Sequence, residues 1–134
     1  EDINWGNIRA FHMDEYIGLD KDAPQCFGNF LYRELFSKIT FKQVFYINNE
    51  GTANEQCERY TQLLQKYPVD IICMGIGENG HIAFNDPHEA DFKDSEIVKI
   101  VNLDEKCRNQ QVNDGCFKNI NEVPKQAITV SSHS

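Results

Sequence analysis

No stretch of the 134 residues approaches the ~20 consecutive apolar side chains that cross a bilayer, and no signal-peptide pattern opens the chain. A membrane partner is therefore not expected. Basic runs are equally absent: 13 Lys and Arg stand against 21 Asp and Glu, for a net charge of −8. Binding to a phosphate backbone needs clustered cations, so nucleic acid is not expected as a partner either. The five cysteines include no C-x-x-C pair, which argues against a zinc ribbon or a redox couple. Reduced, mostly buried thiols in a cytoplasmic protein are the simpler expectation. There is no G-x-x-x-x-G-K-[ST] phosphate loop, no helical H-x-x-x-H or H-E-x-x-H zinc signature, no internal repeat and no low-complexity tract.

What remains is the composition of an ordinary globular protein, 40% hydrophobic and 25% charged, long enough for one core. Short apolar runs alternate with stretches of helical spacing. Strands are expected over Ile8–Met13, Val44–Ile47, Val69–Met74, Ile97–Val101 and Ala127–Val130. Helices are expected from Pro24 to Lys38, from Thr52 to about Lys66, and from Asp104 to Val112. Thr52 followed by Glu55 has the form of a capping box, and Asn48-Asn49-Glu50-Gly51 that of a turn. The almost wholly apolar third run predicts a strand covered on both faces. The alternation argues for an α/β fold with a parallel sheet, in which ligands gather at the carboxyl ends of strands. Two segments fall on that rim: Asp14 with its neighbours, and the stretch after Met74.

That second stretch, "MGIGENGHIAFNDP" over residues 74–87, contains G-x-G-x-x-G from Gly75 to Gly80. A dinucleotide fingerprint needs its last glycine to open a long helix that meets the pyrophosphate. Here Asn85-Asp86-Pro87 follows within a few residues, and proline disfavours helix in the residue before it. NAD or FAD binding is thus disfavoured. Gly75 and Gly77 instead let backbone approach a ligand closely, and the loop then presents His81, a side chain that exchanges protons near neutrality. Asp86 is placed to orient that imidazole and stabilise its protonated form. Asn79 is placed, alternatively, to accept from a ring nitrogen and fix the tautomer. At the other segment, His12-Met13-Asp14-Glu15-Tyr16, Asp14 suits a general base whose pKa is raised by partial burial among Phe11, Tyr16 and Ile17. A metal site from His12, Asp14, His81 and His88 has the right donors but no helical frame. Arg108, Lys99 and Lys125 are candidates for ligand contact by charge alone.

Together the segments resemble the glucosamine-6-phosphate deaminase/isomerase family. Phe11 to Leu19 is similar to that family's F-x-M-D-E-Y-x-G-L, Gly75 to Pro87 to its G-x-G-x-D-G-H-I-A-F-N-E-P, and Val123-Pro124-Lys125 with Ala127–Val130 to its V-P-x-x-A-L-T-V. The resemblance implies a Rossmann-like α/β fold in which residues 1–134 are the central part of one domain. The family's phosphate loop would then lie before Glu1 and its phosphate-binding lysine after Ser134. It implies deamination and isomerisation of an amino-sugar phosphate, with His81 opening the sugar ring, Asp14 carrying a proton from C2 to C1, and Asp86 and Asn79 tuning the histidine. It implies no redox cofactor and no metal, and it is compatible with a homo-oligomer. The sequence departs from the family's usual Asp at Asn79 and usual Glu at Asp86. An arginine followed by two aromatics, common in the family, is missing near Gly115-Cys116-Phe117. A 6-phosphogluconolactonase-like hydrolase and a non-catalytic sugar-phosphate-binding paralogue are the alternatives.

Overall fold

The computed structural model describes residues 2–47, 50–86, 93 and 95–131. Five strands and three α-helices follow one another in an α/β order: β1 (Arg9–Phe11), β2 (Asp14–Tyr16), α1 (Phe27–Leu31), β3 (Gln43–Phe45), α2 (Ala53–Lys66), β4 (Val98–Asn102), α3 (Glu105–Asn113) and β5 (Gln126–Val130). Helix α1 runs on into one π-helical turn, Tyr32–Phe36. The α/β class expected from the alternation is what forms.

Parallel pairing is confined to β1 and β3, with Ala10 opposite Val44. The other three strands make an antiparallel sheet in the order β2-β5-β4. The expected single strand Ile8–Met13 is divided because His12 leaves the first ladder. Its Nε2 accepts from Ile47 N at 2.6 Å, while the Tyr60 hydroxyl donates to its carbonyl at 2.7 Å. One residue on, the Met13 carbonyl accepts from Val130 N at 2.8 Å and the chain enters the second sheet. Asp14 accordingly sits at the start of β2, not in a loop beyond a strand.

Residues directly opposite in a ladder share a face, and successive residues alternate. One face of the antiparallel sheet therefore carries the rows Asp14–Thr129–Lys99 and Tyr16–Ala127–Val101; the other carries Glu15–Ile128–Ile100. Each face has its own core. Tyr16, Ala127 and Val101 pack with Phe84, Leu103, Cys107, Phe117 and Val123, whereas Ile128 and Val98 pack with Ile47 and Tyr60. Burial of each such side chain contributes roughly 1.5–3 kcal/mol. Helix α2 supplies Ala53, Cys57, Tyr60, Leu63 and Leu64 to the second core, a stripe at the spacing a helix needs. Its start is the expected capping box: Thr52 Oγ1 accepts from Glu55 N at 3.2 Å and Glu55 Oε2 from Thr52 N at 2.9 Å.

The third expected strand is not present. Residues 69–74 form no ladder, and Ile71 is 82% exposed, with Val69, Ile72 and Met74 also open to solvent. Apolar side chains alone do not make a strand; no described strand lies alongside to pair with this one. All five cysteines are free thiols, but only Cys26 and Cys107 are buried, while Cys73 and Cys116 are exposed. Residues 48 and 49 of the expected turn lie outside the described residues. No described helix is long and apolar enough to cross a membrane.

Candidate active site

The loop from Gly75 to Asp86 closes on itself through short contacts. Gly77 N donates to the His81 carbonyl at 2.9 Å, Gly80 N to Gly77 O at 3.0 Å, and Asn85 N to Ile82 O at 2.9 Å. Two residues take the left-handed region, Gly80 at φ 85° and Ala83 at φ 52°. At a non-glycine residue that conformation costs on the order of 1–2 kcal/mol and is held by its surroundings. Here Phe84 N donates to Thr129 Oγ1 at 3.3 Å and Asn85 Nδ2 to the Val130 carbonyl at 2.9 Å. Because Thr129 lies opposite Asp14 in the ladder, these bonds lay the loop over the face that carries Asp14.

Within the loop, Asn79 is the centre. Its Oδ1 accepts from His81 N at 3.2 Å and makes a short hydrogen bond with His81 Nδ1. Its Nδ2 donates to Asp86 Oδ1 at 3.1 Å and to Asp104 Oδ2 at 3.3 Å. His81 Nδ1 is 3.7 Å from Asp86 Oδ1, close enough for an ion pair when the ring is protonated. Asp86 is wholly buried and Asn79 stands between it and the ring. Gly77 contributes space: a Cβ there would collide with the His81 imidazole, so its missing side chain is filled by the histidine. Gly75 faces open space.

Asp14 has a different setting. Among the described residues no hydrogen-bond donor reaches its carboxylate, and burial, with the Glu15 charge second, pushes its pKa up to about 7. Glu15, on the opposite face, accepts from the backbone N–H groups of Phe27 (3.0 Å), Gly28 (2.9 Å) and Tyr16 (3.0 Å). Burial raises its pKa, and those three bonds offset only part of the rise. A cavity of about 300 Å³ lined by Glu15, Lys21, Cys26, Asn29, Tyr32 and Tyr46 opens beside α1, so it belongs to the Glu15 side.

Other candidates fall to structural work. His12 is buried, its pKa lowered to about 4 by burial, and its Nε2 is committed to Ile47. His88, the fourth donor of the expected metal set, lies outside the described residues. A different trio does converge: ligand atoms of His81, Asp86 and Cys107 lie within 4.8 Å of one another. Two of the three are already engaged in hydrogen bonds, however. Asp86 accepts from Asn79 and from Asp104 N, and His81 Nδ1 meets Asn79. Burial, with the Asp86, Asp104 and Asp14 carboxylates, pushes the Cys107 thiol up to about 12. Asp14 therefore lies within electrostatic reach of the Cys107 thiol. Arg108 donates to the carbonyls of Ile120 (2.7 Å) and Val123 (3.1 Å), fastening α3 to the run into β5; Lys99 is buried and Lys125 is exposed. Residues the sequence did not single out are Asp104, whose only visible signal was as a helix start, and Gln110, whose Oε1 accepts from Glu78 N at 3.1 Å.

The α/β domain sets a histidine–amide–carboxylate chain over the sheet face that carries Asp14, whose pKa is raised. A family model described as glucosamine-6-phosphate isomerases/6-phosphogluconolactonase matches residues 1–113. The chain belongs to that family. It is 38% identical to glucosamine-6-phosphate deaminases of Lysinibacillus sphaericus, over 99% of this chain and 58% of the relative, and of Streptococcus pneumoniae serotype 4, over 96% and 54%. Among solved structures it superposes on a monomeric glucosamine-6-phosphate deaminase with a TM-score of 0.80 at 33% identity, covering 90% of this chain and 50% of the other. A 6-phosphogluconolactonase from Thermotoga maritima shares the fold, with a TM-score of 0.67 at 19% identity, covering 98% of this chain and 54% of the other. The chain thus spans about half the length of the relatives it matches.

Proposed function

We propose that the protein is a cytoplasmic amino-sugar-phosphate deaminase/isomerase, acting on glucosamine 6-phosphate or its galactosamine epimer and releasing a ketose 6-phosphate and ammonia. The observation that carries this is the placement of the His81 loop over the same sheet face as Asp14, through Thr129. With Nδ1 facing Asn79, His81 has Nε2 available to take the proton of the anomeric hydroxyl and pass it to the ring oxygen as the pyranose opens to its aldehyde. Asp14, ionised above about pH 7, takes the proton from C2, giving an enolamine, and returns it to C1. The resulting imine at C2 adds water and expels ammonia, leaving the ketose; protons balance without a redox partner. Asp86 stabilises the imidazolium through its 3.7 Å approach. The names of the relatives favour this reaction over lactone hydrolysis, since the lactonase likeness extends to the fold alone.

The test is incubation of the protein in its full natural length with glucosamine 6-phosphate and with galactosamine 6-phosphate, following ammonia and ketose phosphate together. Stoichiometric formation of both products from either sugar is expected. Hydrolysis of 6-phosphogluconolactone with no ammonia from either amino sugar overturns it.

A further inference from the structure

We infer that Asp104 is a positioning residue that sets the tautomer of His81 through Asn79. The amide of Asn79 has two ends that are not interchangeable: Oδ1 faces His81 N and Nδ1, and Nδ2 faces Asp86 Oδ1 and Asp104 Oδ2. Turning the amide over would set its oxygen against two carboxylate oxygens and its NH₂ group against the His81 backbone N–H. Each of those contacts is repulsive and leaves a part-buried polar group without its partner.

Asp86 alone supplies half of that selection. Asp104 supplies the rest twice over: its side chain is the second acceptor, and its backbone N–H donates to Asp86 Oδ2 at 3.2 Å, which fixes the carboxylate plane of Asp86. Asp104 is itself immobilised. As the N-cap of α3 its Oδ1 accepts from Cys107 N at 2.6 Å, leaving Oδ2 directed at Asn79. The start of a nine-residue helix is thereby coupled to an imidazole two contacts away. With the amide carbonyl held toward the ring, the neutral imidazole carries its proton on Nδ1 and leaves the Nε2 lone pair outward. Asn79 is neutral, so negative charge reaches the histidine only from the two carboxylates its NH₂ group bridges.

The effect on turnover rests on the deaminase assignment; the effect on the tautomer does not, and the two are measured separately. Long-range ¹H–¹⁵N correlation spectra of the histidine-labelled protein, with the His81 signals identified by their loss in His81→Gln, report the tautomer. The wild type is expected to hold the Nδ1–H form. Asp104→Ser keeps an oxygen to cap Cys107 N but cannot reach Asn79, so the helix start survives while the tautomers mix. Asp104→Asn places a second NH₂ group against that of Asn79 and turns it over. In turnover, kcat falls about tenfold in Asp104→Ser and about a hundredfold in Asp104→Asn, and KM changes little. An unchanged tautomer in both single variants overturns the inference, whatever happens to activity, and leaves Asp104 as a helix cap only. A wild type that releases no ammonia counts against the proposed reaction, and the spectra then decide the role of Asp104 alone.

Discussion

Asp14 and Glu15 are neighbours on one short strand, chemically almost the same, and the pleat sends them to opposite faces of the sheet. Glu15 meets the start of α1, where the N–H groups of Phe27 and Gly28 join that of its strand neighbour Tyr16 on its oxygens. Such bonds favour the anion and use it as a rivet. Asp14 meets the underside of the His81 loop, where no described donor approaches and burial raises its pKa to about 7. What separates the two acids is the supply of hydrogen-bond donors on each side of the sheet.

The sharpest way to break the comparison is to neutralise each carboxylate in turn. Asp14→Asn should lower kcat for amino-sugar deamination about 10³-fold, the usual scale for losing a positioned base, with the fold intact by circular dichroism. Wild-type kcat/KM should rise about tenfold per pH unit up to about 7 and then level. Stability moves the other way. The folded-state pKa lies above the unfolded value of 3.8, so the stability that Asp14 contributes is lost as pH climbs from about 4 to about 7. Above pH 7, Asp14→Asn should therefore be the more stable protein in urea titration. Glu15→Ala, by contrast, should cost about 3 kcal/mol in the same titration, because buried N–H groups lose a charged acceptor. The milder Glu15→Gln should shift the acidic limb of the activity profile to lower pH by removing a charge beside Asp14. Next in size, Gly77→Ala should reduce kcat about a hundredfold by displacing the His81 ring, with little loss of stability. Thr52→Ala is the control far from either face: about 1 kcal/mol from loss of the cap, and unchanged kcat.

Local signals were legible before the fold was. The capping box at Thr52 and Glu55, the α3 start at Asp104 and strands β4 and β5 all lie where spacing and residue type put them, within a residue or so. Those features depend on neighbours in sequence. The break at His12 depends on Ile47 and Tyr60, dozens of residues away, and apolar periodicity carries no trace of it. Residues 69–74 show the converse. A run can be apolar enough for a covered strand and still have no partner beside it. In the site, His81, Asn79, Asp86 and Asp14 stood out through glycines and paired carboxylates. Asp104 did not, because what matters is its approach to Asn79 across a separation of 25 residues, and a helix cap is a sufficient local reason for an aspartate there.

His12 joins the two sheets as a neutral base, its one lone pair given to Ile47 N and its carbonyl to Tyr60. An unfolded histidine takes up a proton near pH 6.5, whereas this one resists until about 4. At His12, each step of acidification between those values favours the open chain, against the gain that Asp14 makes over the same range. The seam between the sheets is thus the place where mild acid loosens the molecule while the loop side tightens.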